Sequence, residues 1–152
     1  MPRFSAAHLY KPETAAATAA LDDMSQIPTE TPDSAERQYF DCLSKGLFML
    51  PHCLECGRHH FYPRVLCPHC GADSLEWVPA SGKGVVYATT TVRSKASVHN
   101  VCLVDLEEGP RLMSRVVDID STAVQIGLPV RARVDEVDGK PLLVFVSAEG
   151  QA

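Results

Sequence analysis

The sequence lacks several features that mark other classes of protein. It has no run of about 18 apolar residues, the length that a membrane-spanning helix needs. The opening stretch MPRFSAAHLYKPET also lacks the apolar region of a secretory signal peptide. We therefore expect a cytoplasmic protein with no membrane partner. In a reducing cytoplasm, six cysteines favour metal binding over disulfides.

Basic residues are not in excess either. The net charge is −5, with 14 Lys and Arg against 19 Asp and Glu, and residues 1–44 carry only 3 basic side chains against 7 acidic ones. Nucleic-acid-binding surfaces need clustered Lys and Arg. Aromatic residues make up only 7% of the chain, and its later strands offer chiefly Tyr87 and Phe145 for stacking on bases. We therefore expect no nucleic-acid partner, and a single-stranded nucleic-acid-binding protein is a weak alternative.

Catalytic motifs are missing as well. The sequence contains no G-x-S-x-G element, no phosphate-binding loop and no evident pair of carboxylates. Two cysteines, Cys42 and Cys102, could serve as nucleophiles, but neither has an adjacent base. Cys102 lies between Val101 and Leu103 in an apolar segment, which is typical of a small buried core residue. We expect no catalytic residue in this chain, and no enzyme activity of the chain alone.

The feature that is present is a pair of C-x-x-C-G units within residues 51–71. Ten residues separate Cys56 from Cys67, and Gly57 and Gly71 permit a positive φ that lets backbone N–H groups point at the sulfurs. Four thiolates suit tetrahedral Zn²⁺, or iron in the same shell, in a closed structural site. The alternatives are two disulfides or four unrelated core thiols. The predicted ligands are Cys53, Cys56, Cys67 and Cys70.

Four histidines crowd the same stretch, and each could replace one cysteine as a ligand. They are His52, His59, His60 and His69. Because the cysteine spacing is already complete, we expect these histidines to lie at the surface or to support the ligands. The insert between Cys56 and Cys67 is long enough for two strands, with Phe61 and Tyr62 covering the metal.

A helix is predicted before the cysteines. Thr31 suits an N-cap, Pro32 the first turn and Gly46 the stop after the last turn. Its apolar face could pack on this chain's own domain or on another protein. We predict a partner interface there, because aromatic side chains often anchor interfaces. The predicted interface residues are Tyr39, Phe40 and Leu43.

The alanine-rich residues 1–30 are predicted to be an arm that orders on a partner, with a helix possible over residues 15–21. After the cysteines, strands are predicted over 85–92, 100–106, 111–119, 129–137 and 142–146. The first is rich in β-branched and aromatic residues, and 129–137 alternates with period two. Five strands with a connection between the third and the fourth suggest a Greek-key barrel of the OB type. The fold is thus expected to be mainly β with N-terminal helices. The expected domains are residues 1–46 (arm and helix), 47–80 (zinc ribbon) and 81–152 (barrel).

At the level of whole motifs, the chain resembles the zinc-ribbon, OB-fold proteins associated with acyl-CoA enzymes that are known as DUF35. The resemblance covers residue 31 to the C-terminus. It is carried by the helix motif YFDCL (39–43), PR (63–64) before CPHCG (67–71), LEW (75–77), GKGVVY (82–87), LEEGPRLMS (106–114) and IGLPV (126–130).

The resemblance implies a rubredoxin-like zinc ribbon followed by a five-stranded OB barrel. It also implies a scaffold subunit that bridges thiolase-like and ketoacyl-synthase-like subunits in a hetero-oligomer, and that contributes to the path of an acyl or pantetheine chain. One branch of the family is the small subunit of a bacterial acetyltransferase acting on acetylphloroglucinols, and the long arm is compatible with it. The alternative is an accessory domain of an acyl-CoA hydratase or aldolase complex.

Overall fold

A computed structural model gives the fold and describes residues 34–148. In this part of the chain one helix precedes eight strands, so the fold is mainly β, as predicted. The predicted arm and the possible helix over residues 15–21 lie outside the described residues. The elements are α1 (Ala35–Ser44), β1 (Met49–Cys53), β2 (Leu75–Pro79), β3 (Lys83–Arg93), β4 (Val98–Leu106), β5 (Arg111–Ser114), β6 (Val116–Val117), β7 (Pro129–Val137) and β8 (Lys140–Ser147).

Helix α1 begins later than its sequence suggests. Ser34 has an extended backbone, and its hydroxyl oxygen accepts a hydrogen bond from the Arg37 N–H at 3.1 Å, so Ser34 is the N-cap. The prediction of Thr31 as the N-cap is therefore wrong. Glu36 lies in the first turn, where a negative charge is favourable next to the helix dipole.

The end of α1 lies where the sequence predicts it. Gly46 has a φ of +74°, and its N–H donates to the Leu43 carbonyl at 2.8 Å. The Leu47 N–H donates to the Cys42 carbonyl at 2.9 Å. These two hydrogen bonds form a Schellman motif, which satisfies two of the last helix carbonyls and confirms Gly46 as the stop.

The strands form two sheets. β1 and β2 pair antiparallel, with Leu50 opposite Val78. The other six strands form one sheet in the order β5-β4-β3-β7-β8-β6. All of its pairs are antiparallel except that of β6 with β8. This sheet is the OB-type β domain.

One predicted strand, over residues 111–119, is divided in the structure. Its first half, β5, pairs with β4, whereas its second half, β6, pairs with β8 on the other side of the barrel. The division falls at Arg115, whose carbonyl accepts a hydrogen bond from the Phe145 N–H at 2.9 Å. The barrel therefore has six strands where five were predicted, because one continuous segment serves both ends of the sheet.

Helix α1 contributes to the same core as the barrel. Tyr39 is 4% exposed and Leu43 is 2% exposed, and both belong to one hydrophobic cluster with Phe145. The structure thus corrects the prediction that Tyr39 and Leu43 face a partner, because they are already buried within this chain. Phe40 is 41% exposed, so a partner contact at that residue stays a prediction.

Two hydrogen bonds hold the outer side of α1 against the β1–β2 region. The Trp77 indole N–H donates to the Gln38 side-chain oxygen at 2.7 Å, and the Tyr62 hydroxyl donates to the Glu36 carboxylate at 2.6 Å. The helix therefore contacts both sheets. The division of the chain at residues 46 and 80 stays a prediction. No helix among residues 34–148 is long and apolar enough to cross a membrane.

The barrel is closed in part by one buried amide. Asn100 is 2% exposed and lies on β4. Its side-chain N–H donates to the Val116 carbonyl at 2.7 Å, and its side-chain oxygen accepts from the Val116 N–H at 2.8 Å. The Asn100 amide thus satisfies the two backbone groups of Val116 that a neighbouring strand would otherwise pair with.

Replacing Asn100 with leucine should destabilise the barrel. The change orphans a buried N–H and a buried C=O of Val116, at a cost of about 1–3 kcal/mol for each group. Denaturant unfolding of wild type and Asn100→Leu measures the loss. The exposed Thr90→Val change on neighbouring β3 is the control and should change stability by less than about 0.5 kcal/mol. Equal midpoints for all three proteins would contradict the bridging role.

Candidate metal centre

Four cysteine sulfurs meet in one cluster. All of them lie within 4.8 Å of one another, with 3.5 Å between the sulfurs of Cys53 and Cys70 and 3.7 Å between those of Cys56 and Cys67. Zinc–sulfur bonds of about 2.3 Å place the corners of a tetrahedron about 3.8 Å apart. The cysteines are free rather than paired as disulfides. The donor set and its dimensions therefore fit a structural zinc ion held by four thiolates.

The two C-x-x-C-G units form matching turns. The Gly57 N–H donates to the Cys53 carbonyl at 2.9 Å, and the Gly71 N–H donates to the Cys67 carbonyl at 2.9 Å. The φ angles of the two glycines are +67° and +78°. This confirms the predicted positive φ, which a residue with a Cβ rarely adopts.

Backbone N–H groups in the second turn favour the thiolate that a metal requires. Desolvation acts to raise the pKa of Cys67. Hydrogen bonds to its sulfur from the backbone at His69 and Cys70 act in the opposite direction, together with those from neighbouring thiols, and the pKa falls to about 6. A thiolate is the form of cysteine that binds metal. The turn thus favours the thiolate form of Cys67. A hydrogen bond from the Ala72 backbone acts to lower the pKa of Cys70 in the same turn, but hydrogen bonds with neighbouring thiols and desolvation outweigh it and raise that pKa to about 12.

The site is closed. Four sulfurs fill a tetrahedral shell, so no position remains for water or for a substrate. A zinc ion in this shell would fix the two turns to each other, and the chain's own residues would supply no chemistry there. The arrangement therefore indicates a structural role.

The insert between the two units does not form the predicted pair of strands. None of its residues belongs to one of the eight strands. Instead, the ring centroids of Phe61 and Tyr62 lie 5.7 Å and 6.3 Å from the ring centroid of Tyr39 on α1. The insert therefore packs on the helix, because its aromatic side chains find an apolar partner there rather than across a hairpin.

The nearby histidines lie outside the sulfur cluster. Of the described residues, only the four cysteines form a group that could hold a metal ion. His52 contacts the Glu76 carboxylate at 2.9 Å, and its ring lies 4.7 Å from that of His59. His69 is exposed, whereas His60 is 2% exposed.

The surroundings of buried His60 lower its pKa. Neither ring nitrogen forms a hydrogen bond of normal geometry within residues 34–148. Desolvation lowers the pKa of His60, and the positive charges of His69, Arg64 and His59 lower it further, against a raising contribution from the Arg64 backbone. Folding therefore disfavours the protonated imidazole.

Acid should weaken the wild-type fold more than a His60→Leu variant. Because the unfolded state binds a proton more readily at this histidine, its contribution to the free energy of unfolding falls as the pH drops below about 6.5. Unfolding curves at pH 7.5 and pH 5.5, with metal content measured at both, test this difference. The His99→Gln control keeps His60 and should retain the wild-type acid loss. Parallel losses in wild type and His60→Leu would rule the effect out.

The remaining thiols are separate from the cluster. Cys102 is 1% exposed, and its S–H lies 3.3 Å from the Thr89 hydroxyl and 3.3 Å from the Asn100 side-chain oxygen. This confirms the prediction of a buried core residue, and neither neighbour is a base. Cys42 lies on α1 and is half-buried.

A cavity beside the metal centre was not predicted. It has a volume of about 430 Å³ and is lined by the insert, the second cysteine turn and the turn between β4 and β5. Glu108 in that turn and Arg58 in the insert both line it. No local pattern indicated this cavity, because residues about fifty positions apart form it and only the fold brings them together.

Comparisons with known proteins identify both parts of the chain. Residues 43–76 match the family model described as "ChsH2, rubredoxin-like zinc ribbon domain". Residues 77–135 match the one described as "ChsH2, C-terminal OB-fold domain". The two matches are contiguous and include all four cysteines.

Curated relatives carry related names. A "DUF35 domain-containing scaffold protein" of Pyrococcus furiosus is 31% identical over 100 residues, which are 60% of this chain and 74% of the relative. A protein of the same name from Methanothermobacter thermautotrophicus is 34% identical over 82 residues, covering 49% of this chain and 62% of the relative. A "Probable enoyl-CoA hydratase alpha subunit" of Thermomonospora curvata is 30% identical over 97 residues, covering 60% of this chain but only 30% of the relative.

Solved structures share the fold. The structure titled "Ltp2-ChsH2(DUF35) aldolase" contains a chain with a TM-score of 0.67 and 28% identity, covering 78% of this chain and 98% of that one. A DUF35 protein of unknown function from Sulfolobus solfataricus has a TM-score of 0.57 at 19% identity, and the match covers 86% of this chain and 97% of that one. With its four-cysteine ribbon, its OB-fold domain and these relatives, the chain belongs to the DUF35 family.

Proposed function

We propose that this chain is a non-catalytic, zinc-binding scaffold subunit of a multi-subunit, thiolase-like acyltransferase complex, and that it bridges the catalytic subunits. The observation that carries the proposal is the closed set of Cys53, Cys56, Cys67 and Cys70. This set leaves the metal no catalytic position. Within residues 34–148, the buried Cys102 contacts a hydroxyl and an amide instead of a base. Residues 34–148 thus offer a folded support without an evident reaction centre.

The names of relatives support the scaffold role. Three archaeal relatives, two of them described above, are named scaffold proteins. In the proposed complex, a thiolase-like or ketoacyl-synthase-like partner supplies the acyl-accepting cysteine and the acid–base histidine. This chain holds the subunits together and lines part of the path taken by an acyl or pantetheine chain. The assembly is then a hetero-oligomer.

A second candidate is an accessory role in an acyl-CoA hydratase or aldolase complex. Two observations favour it. The solved structure with a TM-score of 0.67 is titled as an aldolase, and one relative is named as a hydratase subunit. The two candidates share the scaffold and differ only in the enzyme that it supports.

Co-expression distinguishes the candidates. The chain is purified alone, with thiolase-fold proteins encoded beside it, and with neighbouring hydratase or aldolase subunits, and each preparation is assayed for acyl transfer, hydration and aldol cleavage. We expect a stable complex with the thiolase-fold subunits, and acyl transfer only from that complex. Activity of the chain alone would overturn the scaffold role. A complex with only the hydratase or aldolase subunits would favour the second candidate.

A further inference from the structure

An apolar groove lies where the barrel opens between β5 and β8. Of the strands described, β5 pairs only with β4, so its other edge is open. The Ser114 hydroxyl donates to the Leu143 carbonyl at 2.8 Å, which brings the two strands together at one end. Next to this contact lie two adjoining cavities of about 320 and 150 Å³, and both are lined by Met113, Leu142 and Leu143.

The walls of this groove expose large apolar side chains. Met113 is 69% exposed, Leu142 is 40% exposed, and Phe40 on α1 borders the smaller cavity and is 41% exposed. Contiguous exposed apolar side chains commonly mark an interaction site. An open strand edge beside them offers backbone hydrogen bonds to an added strand.

A guanidinium N–H without a hydrogen-bond acceptor among the described residues marks one end of the groove. Arg115 lines the larger cavity, and its Nε is buried with no hydrogen-bond acceptor in residues 34–148. The positive charge of Arg115 acts on Asp135, but that carboxylate is paired with Arg133. A buried guanidinium N–H without an acceptor is costly, and a carboxylate is its strongest partner. The Arg115 guanidinium is therefore a suitable partner for an acidic group from outside residues 34–148.

We propose that this groove binds an extended peptide segment of a partner subunit, which lies along the open edge of β5. The segment places an apolar side chain against Met113 and Leu142 and a carboxylate on Arg115. The open edge supplies the backbone contacts, the apolar walls supply the buried area, and Arg115 fixes the direction of the peptide. This inference rests on the proposed scaffold function and assigns one of its contact surfaces.

Matched substitutions in the full chain test the groove. Met113→Asp removes the apolar wall, and Ile126→Asp is its control, because Ile126 is an apolar side chain of similar exposure at 71% outside the groove. Arg115→Glu reverses the proposed contact charge, and the exposed Arg93→Glu is its control. Affinity for the co-purifying thiolase-fold subunit is measured by calorimetry. We expect Met113→Asp and Arg115→Glu each to weaken binding at least about tenfold, and the controls to leave it within about twofold.

Two further measurements keep the test decisive. Leu142→Asp should weaken binding like Met113→Asp, and thermal melting of each variant establishes that it is folded. If the wild-type complex forms and the folded groove variants bind as tightly as their controls, the groove proposal is wrong while the scaffold function stands. If Met113→Asp instead dissociates a homodimer seen by light scattering, the occupant is a second copy and the proposal is also wrong. A wild-type chain that binds no thiolase-fold subunit overturns the acyltransferase assignment, and the groove proposal with it.

Discussion

Replacing any one of the four cluster cysteines with serine should release the metal and unfold the ribbon. Cys53 and Cys67 are both buried, so their variants should show the largest effect. The free energy of zinc binding in small structural sites reaches about 10–16 kcal/mol and is coupled to folding. We expect elemental analysis to find about one ion per wild-type chain and almost none in Cys53→Ser or Cys67→Ser. Complex assembly should weaken in parallel, with no selective effect on a chemical step.

The cysteines outside the cluster provide the control. Cys42 lies on α1 away from the four sulfurs, and Cys42→Ser should retain the metal and the wild-type melting temperature. Thiol titration supplies a second measurement, because metal-bound thiolates react slowly in the folded protein. A wild-type chain without metal, whose four cluster thiols react freely in the native state, would remove the site.

Replacing Tyr39 with alanine should cost about 3–5 kcal/mol of stability, the usual range for a large aromatic side chain in a core. Tyr39 is 4% exposed and belongs to the hydrophobic cluster that contains Leu43 and Phe145. The centroids of its ring and the Phe61 ring also lie 5.7 Å apart, in an edge-on arrangement. The variant leaves a cavity between α1 and the rest of the domain, so it should melt at a much lower temperature.

The neighbouring Phe40→Ala variant is the matched control. Its ring is 41% exposed, so the change should cost about 1 kcal/mol or less. Denaturant unfolding of both variants, together with pull-down of the thiolase-fold partner, separates stability from binding. If Tyr39→Ala melts like wild type, the placement of α1 in this core is wrong. Weaker pull-down by folded Phe40→Ala would support the partner contact predicted at that residue.

The sequence was most informative where structure depends on neighbouring residues. The cysteine spacing and the two following glycines define the metal turns within a few positions, and Gly46 likewise determines its own cap. The start of α1 was harder to place, because Thr31 and Ser34 are both good N-caps. Only the extended backbone and hydrogen bond of Ser34 decide between them.

Features that depend on distant contacts were not accessible in the same way. Tyr39 and Phe40 are adjacent aromatics, and which of them is buried depends on where β8 lies. The division at Arg115 depends on pairing with β8, about thirty residues later. The burial of Asn100 could have been predicted, because side chains alternate along a strand and Asn100 therefore lies on the same face of β4 as the buried Cys102 and Val104. A polar residue on the inner face of a strand predicts a buried hydrogen bond.

The packing of α1 on β8 has a consequence for how the protein is made. Among the described elements, α1 is the first to leave the ribosome and β8 is the last, about one hundred residues later. At about 5–20 residues per second, synthesis leaves roughly 5–20 s between them. Until β8 is made, Tyr39 and Leu43 have no complete barrel to cover them. The cysteine turns at residues 53–71 are synthesised early in this interval. A nascent chain that stalls before residue 140 therefore presents an uncovered apolar helix face, which is a typical substrate for chaperones.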